Sequence, residues 1–501
     1  MRTLRQLFVV TAASCALALT ALVAPTSASA AAPEQPVGGP TTNSGGKYGL
    51  TAKQQKQIRK ANNWAQTEEA KNVRRCRSGN NYQFSHKKRS GAYMQTNAQW
   101  RSFGGGQFAA GAVQAPIFAQ NYLAWKQWRQ DDGLNCLTKD WMATIYSGAA
   151  QTPVGDMLFS GTHDAGSSEI DVSAPCDIEA IYGAAAYLTA AIDKNACGTA
   201  ILAKAQSKNL GAQLRSGARY LDLRVGIPAD EAITTLPTPT VGDPTEVPLV
   251  LHHEIVSQPL AQGLGQVIQF ANNHPKEQVI LDFQHLTFTG NAAVDKYYIQ
   301  GLAEMLGDWT PDTNQRTICE SSWSHKKFPM ADTKLAGVPV KRAWKNNRNL
   351  IVVFPKGDMP SRSCYRTREE VLTSLWPNTE IPAVSTTYNH EVLEKRATQL
   401  KGAPGSCVDA AGTNWCGFFI SQLQLTYAVG TQAQCLFGEN PVGACSLYGL
   451  SQETNNDRAQ ELRKWRVNQG LPVNVAMIDF FTAADPSLVD QLLRSSWKLL
   501  N

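Results

Sequence analysis

The chain has 501 residues, 43% of them hydrophobic, with 47 basic and 41 acidic side chains and a formal charge of +6. A surplus this mild argues against a nucleic-acid partner. The length exceeds one compact domain of ordinary size, although barrels with insertions run this large, so one elaborated domain with an N-terminal extension is expected.

Arg2 and Arg5 precede an apolar stretch from Leu7 to about Ala24, and Ala28-Ser29-Ala30 supplies a small-residue site. This spells a secretory signal peptide over 1–30, cleaved after Ala30, and hence a secreted, extracellular protein. An uncleaved anchor fits less well, since alanine and threonine make the stretch only mildly hydrophobic, and no other segment is long and apolar enough to span a bilayer. A lipoprotein reading through Cys15 fails because Ala12-Ala13-Ser14 lacks a bulky apolar residue. Cleavage removes Arg2, Arg5 and Cys15, leaving 45 basic residues against 41 acidic, a charge of +4, and ten cysteines. An even number in an exported chain reads as a disulfide set of up to five. Cys176 with Cys197, Cys407 with Cys416 and Cys435 with Cys445 are local closures, but spacing does not settle the pairing; without any CxxC pair, structural zinc is not expected.

Residues 31–50 form a flexible leader, its Pro, Gly, Thr and Ser gathered in 31–47. Helix-favouring residues from Thr51 to Arg77 and from Ala112 to Arg129 predict a helical N-terminal extension over 51–139. Its tryptophans, Trp64, Trp100, Trp125 and Trp128, together with Trp141, close helices against a core, or in the sharper reading sit at a membrane interface. From residue 140 the pattern turns to short β-rich runs: Met157–Ser160, Tyr220–Val225, Leu249–His252, Val279–Phe283, Leu350–Phe354, Phe418–Leu425 and Val473–Phe480. Helix candidates fall between and after them at Ile201–Ser216, Leu260–Asn273, Ala292–Leu306, Asp457–Asn468 and Pro486–Leu499. Alternation of this kind predicts an α/β fold, and polar residues at the strand ends favour a distorted parallel (β/α) TIM-type barrel over an open sheet.

The chemistry gathers at three strand ends. Phe159-Ser160-Gly161-Thr162-His163-Asp164-Ala165-Gly166 sets a His–Asp pair on a glycine-flanked turn after an apolar run. In Tyr220–Val225, Asp222 and Arg224 share one strand face, so a carboxylate and a guanidinium enter the lumen together. That pair alone reads as a buried structural ion pair. Beside His163 and His253 it reads differently: one neutral imidazole takes a proton, a protonated one gives a proton, and the guanidinium fork grips a phosphate, as metal-free phosphodiester cleavage requires.

Ser160–Gly166, Gln213–Arg224, His252-His253 and His274–Phe283 resemble successive blocks of the phosphatidylinositol-specific phospholipase C catalytic domain. The resemblance covers about 140–290 and the last strand through Asn474–Phe480; 310–460 matches loosely and looks like a large insertion, and 31–135 matches nothing. It implies His163 as general base on the inositol 2-hydroxyl, His253 as general acid releasing diacylglycerol, Asp164 assisting the acid, Arg224 holding phosphate and Asp479 orienting the base. The implied product is a cyclic inositol phosphate. Calcium-dependent members carry Asn after the first histidine and carboxylates on the second strand; Asp164 and Arg224 imply a metal-independent site, with Asp222, Glu254 and Asp282 as remaining candidate oxygen ligands for calcium.

Asp222, Asp282, His285 and Lys356 are taken as substrate-facing residues. Asp282 could equally brace the barrel, and Lys356 could be a solvated loop residue. The partner implied is a phospholipid or another phosphodiester met at a membrane surface, by a monomer. The rival readings are a glycerophosphodiester substrate on the same barrel and an inactive glycan- or membrane-binding protein.

Overall fold

Short apolar runs buried on both faces build the centre of the molecule, as parallel strands covered by helices require. The structure, a computed structural model, describes residues 48–66, 70, 74, 85–86, 89–93, 95–129, 140–146, 150–173, 175–184, 186–232, 244–323, 337–355, 364–401, 408–437 and 445–481. The signal peptide expected over 1–30, the helix expected at Pro486–Leu499, Cys407 and Lys356 lie outside the described residues.

The strands are β1 (Phe159–Thr162), β2 (Tyr220–Gly226), β3 (Val250–His253), β4 (Ile255–Pro259), β5 (Val279–Thr287), β6 (Leu350–Phe354), β7 (Tyr365–Thr367), β8 (Leu372–Leu375), β9 (Phe418–Gln422) and β10 (Val475–Ile478). They pair in the order β7-β6-β5-β2-β1-β10-β9-β8, every neighbour parallel. The two ends of that order follow each other in the chain, joined by one helical turn at Arg368–Val371. A single interrupted strand therefore lies at the seam of the curled sheet, giving the distorted TIM-type barrel expected from the sequence. Residues 310–460 supply β6 to β9.

The run at Leu249–His252 departs from the expected parallel pattern. It forms β3, antiparallel to both β2 and β4; Glu254 alone links β3 to β4, and one residue cannot make a parallel crossover. This hairpin carries His253 over the end of the ring.

Among the helices of the described residues are, in chain order, α1 (Ala52–Ala65), α2 (Ile117–Arg129), α3 (Ala186–Ala203), α4 (Leu210–Arg215), α5 (Leu260–Asn273), α6 (Ala292–Gly307), α7 (Pro382–Leu400), α8 (Val429–Phe437) and α9 (Leu447–Arg463). The helix expected over Ile201–Ser216 is split: α3 ends at Ala203, and Asn209 caps α4 by accepting from Ala212 N–H at 3.0 Å. α7 was invisible as a periodic pattern because its buried positions are Ser385, Asn389, Leu393 and Arg396.

In the front region Ile58, Trp64, Phe118 and Leu123 join a hydrophobic cluster of its own, beside three two-residue antiparallel strands. Trp64, Trp100 and Trp125 are buried there, and Trp141 is buried in the barrel core with its Nε1–H donating to Gly217 O at 3.0 Å. The membrane-interface reading of these four tryptophans is thereby overturned. Cys176–Cys197 and Cys435–Cys445 are bonded as the spacing allowed, and Cys319–Cys364 adds a bridge that spacing did not suggest.

Near the starts of β2 and β5, Arg219 and Glu277 form a fully buried ion pair at 2.7 Å. Glu277 also accepts from Met142 N–H and Ala143 N–H, and Arg219 donates to the carbonyls of Leu214 and Ala218, so both charges are compensated. Glu277→Ala strands a buried guanidinium; it is expected to cost about 3–5 kcal/mol of stability in denaturant unfolding, against under about 1 kcal/mol for an exposed pair such as Lys464–Glu461.

Candidate active site

β1 delivers His163 to the mouth of the ring, where its N–H donates to Ile478 O at 3.1 Å. The chain then turns at Asp164, which takes a left-handed backbone with φ 42°, a region aspartate tolerates better than most residues. Asp222 Oδ2 accepts from the Asp164 N–H at 3.3 Å and helps hold that turn. The Asp164 carboxylate, with no exposed side-chain surface, is thereby aimed between three partners. Arg224 Nε lies 2.5 Å from Oδ1, while His163 Nε2 and His253 Nε2 lie 3.2 and 3.1 Å from the same Oδ2.

The far nitrogen of each ring is also held. His163 Nδ1 is 2.8 Å from Asp479 Oδ1, just past β10, and His253 Nδ1 donates to Ala203 O at 2.6 Å, at the end of α3. The two rings meet edge to face with centroids 6.0 Å apart. Gln206 Nε2 donates to the carbonyls of His163 and Ile478, and Asn455 Nδ2 to that of Asp479. No motif marked Gln206, Asn455 or the Ala203 carbonyl in the sequence; each acts through position alone.

The charges are strongly coupled. Burial works against ionisation of His163, but the carboxylates of Asp164 and Asp479 outweigh it and lift the ring to about 9. Burial likewise opposes the charge on Asp164, yet Arg224 and the histidines hold it well below the usual carboxylate range. Burial pushes Asp479 up, with His163 opposing. Burial and the Arg224 cation bring His253 down to about 4, although Asp164 pulls the other way. Its geometry points to the protonated form, since both nitrogens face oxygen acceptors. An anion bound at Arg224 cancels the cation that depresses the ring and so favours that protonated form.

Asp222 is fully buried behind Asp164. With its amide nitrogen turned inward, Gln284 donates to both Asp222 oxygens at 2.6 and 3.0 Å. Burial and the neighbouring Asp164 raise Asp222 to about 7. Asp282 is buried too: Tyr220 Oη–H donates to it at 2.7 Å, and Arg368 Nε lies 3.0 Å from each of its oxygens. Arg368 sits in the helical turn at the seam, so Asp282 ties β5 to that seam and braces the barrel, the alternative left open for it. His285 is exposed opposite Arg224 in the β2–β5 register. None of Asp222, Asp282 and His285 lines the cavity described next.

That cavity, about 270 Å³, has a polar floor of His163, Arg224, His253 and Glu254. Its walls include Leu188, Leu202, Trp376, Leu425, Tyr427 and Leu436. Polar chemistry under apolar walls suits an amphiphile.

Among the described residues His163, Asp164 and Asp222 bring one ligand atom each within 4.8 Å of one another. Calcium takes six to eight oxygens, and here Arg224 engages one Asp164 oxygen, two imidazoles the other, and Asp222 is turned to the Asp164 amide. The donor set does not fit that ion.

No family model matches the chain. It is 25% identical over 301 residues to the human PI-PLC X domain-containing protein 3, covering 58% of this chain and 75% of that one. It is 27% identical over 248 residues to the variant-surface-glycoprotein phospholipase C of Trypanosoma cruzi, covering 48% of this chain and 56% of that one. The solved phosphatidylinositol-specific phospholipase C from Listeria monocytogenes aligns with 72% of this chain and 98% of its own at 16% identity, with a TM-score of 0.43. Taken together, the parallel barrel, the His–Asp–Arg–His floor and the two sequence relatives support a likeness of this chain to the phosphatidylinositol-specific phospholipase C-like superfamily.

Proposed function

We propose that the protein is a secreted, metal-independent phosphodiesterase that cleaves phosphatidylinositol at the glycerol–phosphate bond, releasing diacylglycerol and a cyclic inositol phosphate. The observation that carries this reading is the single oxygen of Asp164 lying within about 3.2 Å of both histidine Nε2 atoms while its other oxygen meets Arg224. His163, oriented by Asp479, removes the proton of the inositol 2-hydroxyl; the hydroxyl oxygen attacks phosphorus, and His253 protonates the departing glycerol oxygen. Arg224 offsets the charge that builds on the phosphoryl oxygens. For this division of labour the proton that rests on His163 in the free enzyme passes to His253 as the diester anion settles beside Arg224.

The apolar cavity walls support a lipid substrate. So do the neighbouring exposed residues Trp376, Val429, Phe437 and Tyr448, which suit contact with a membrane surface. Export draws support from the disulfides, which persist in oxidising compartments. The reading extends to a monomeric enzyme.

His163→Ala and His253→Ala are each expected to lower turnover of phosphatidylinositol vesicles by about 10³-fold or more, with far-ultraviolet circular dichroism unchanged. Phosphorus NMR with and without a chelator reads product and metal independence together; a cyclic phosphate signal lost on chelation overturns the metal-free mechanism, and silence on phosphatidylinositol overturns the substrate.

The pH profile follows from the pair. Below about 4 His253 takes a second proton and no base remains; above about 9 His163 loses its proton and no acid remains. Activity is expected between these limits, falling about tenfold per unit outside them. A rate that stays level well above pH 9 contradicts the paired-histidine mechanism.

Trp376→Ala is expected to weaken vesicle binding by about tenfold, the worth of roughly 1–2 kcal/mol of buried aromatic surface, while turnover of a soluble short-chain substrate changes much less. Sedimentation with lipid vesicles measures the first, and a coupled assay the second.

A further inference from the structure

Glu254 is the one residue between β3 and β4, and its backbone is left-handed, with φ 62°. Glycine enters that region freely; a glutamate holds it only under strain, which the surrounding structure must impose. The hairpin uses only its backbone: the N–H donates to His252 Nδ1 at 3.1 Å, and the carbonyl accepts from Ile181 N–H at 3.2 Å. The side chain is 48% exposed, and the role it does have is electrostatic. It belongs to the polar floor of the cavity, with Oε1 3.8 Å from Arg224 Nη1.

A carboxylate at this point changes what Arg224 can hold. Asp164 already faces the guanidinium from beneath, and Glu254 faces it from the cavity side. A diester brings one negative charge and can share the cation. A head group with a further phosphate near the diester would set a dianion against the carboxylate, inside a cleft where solvent screens less than at open surface. Hydroxyl groups in the same place would instead donate to it.

We propose that Glu254 is a specificity-determining residue, whose carboxylate beside Arg224 favours a hydroxyl-bearing head group and rejects one carrying an additional phosphate. This deepens the functional reading above and rests on it for the role of Arg224. The strained backbone is consistent with such a role, because a glycine would serve the turn and leave the anion site open.

Two variants separate charge from shape. Glu254→Gln keeps the side chain's size without its charge, and Glu254→Gly removes the side chain and the strain. Calorimetric titration with inorganic phosphate at low salt is expected to show binding at least threefold tighter in both variants than in the unaltered protein, the gain shrinking as salt rises. In mixed micelles the rate on phosphatidylinositol 3-phosphate, whose extra phosphate adjoins the reacting 2-hydroxyl, relative to phosphatidylinositol is expected to rise at least fivefold in both. Phosphate affinity equal in all three proteins overturns the proposal, as does a lipid ratio within twofold of the unaltered protein's. A gain confined to the glycine variant also overturns it, since shape and not charge would then discriminate. If the unaltered protein turns over neither lipid, the phospholipase reading fails, while the phosphate titration still decides the role of Glu254.

Discussion

The buried carboxylate of Asp164, shared between a guanidinium and two imidazoles, sets the terms on which the catalytic floor is built. An isolated carboxylate at that depth would be far too costly to keep ionised, so Arg224 is a condition of the site as much as a contributor to its chemistry. Arg224 in turn tolerates its own burial because Asp164, Asp222 and Glu254 surround it. The same oxygen then faces both rings, so the two histidines do not titrate independently. Beneath them, Asp222 and Asp282 sit opposite each other in the β2–β5 register. Arg368 neutralises Asp282, while burial and the neighbouring Asp164 raise Asp222 to about 7.

Much of the ring was legible because its strands are continuous apolar runs, and Leu350–Phe354 was placed to the residue. Pieces escaped for identifiable reasons. β7 and β8 are three and four residues long, split by a helical turn that contains Glu369 and Glu370, so neither reads as a strand. β4 hides behind a single-residue turn that ordinary turn chemistry would have marked with glycine. α7 turns polar residues inward, where Arg396 satisfies the carbonyls of Trp415, Gly417 and Pro472, and hydrophobic periodicity carries no trace of that arrangement.

For the site, His163, Asp164, Arg224, His253 and Asp479 meet in one place although they span more than 300 positions of the chain. Strand-face alternation put Asp222 and Arg224 on one side correctly, but it could not say how deep each would lie. Two residues of separation along β2 turn out to divide a carboxylate sealed beneath the turn from a guanidinium that reaches the cavity. Asp282 posed the same ambiguity, and its partner Arg368 lies 86 positions away with no motif to announce it. The walls were less legible still, since Leu188, Trp376 and Leu436 become a surface only after three distant segments pack together.

The placement of the disulfides ties this interior to conditions outside. α3 and α8 pack against each other and both line the cavity; Cys197 lies on α3, and Cys435 on α8. The carbonyl that orients His253 belongs to Ala203, six residues beyond Cys197 on the same helix. The ring of strands is held mainly by hydrogen bonds, packing and the buried pairs Arg219–Glu277 and Arg368–Asp282, with Cys319–Cys364 anchoring only the start of β7, whereas one wall of the cleft and the alignment of the proposed acid depend in part on covalent ties. Protein made where thiols stay reduced can therefore carry the complete barrel fold and still present a loosened cleft, so that folded mass and competent catalyst become separate quantities in any preparation of it.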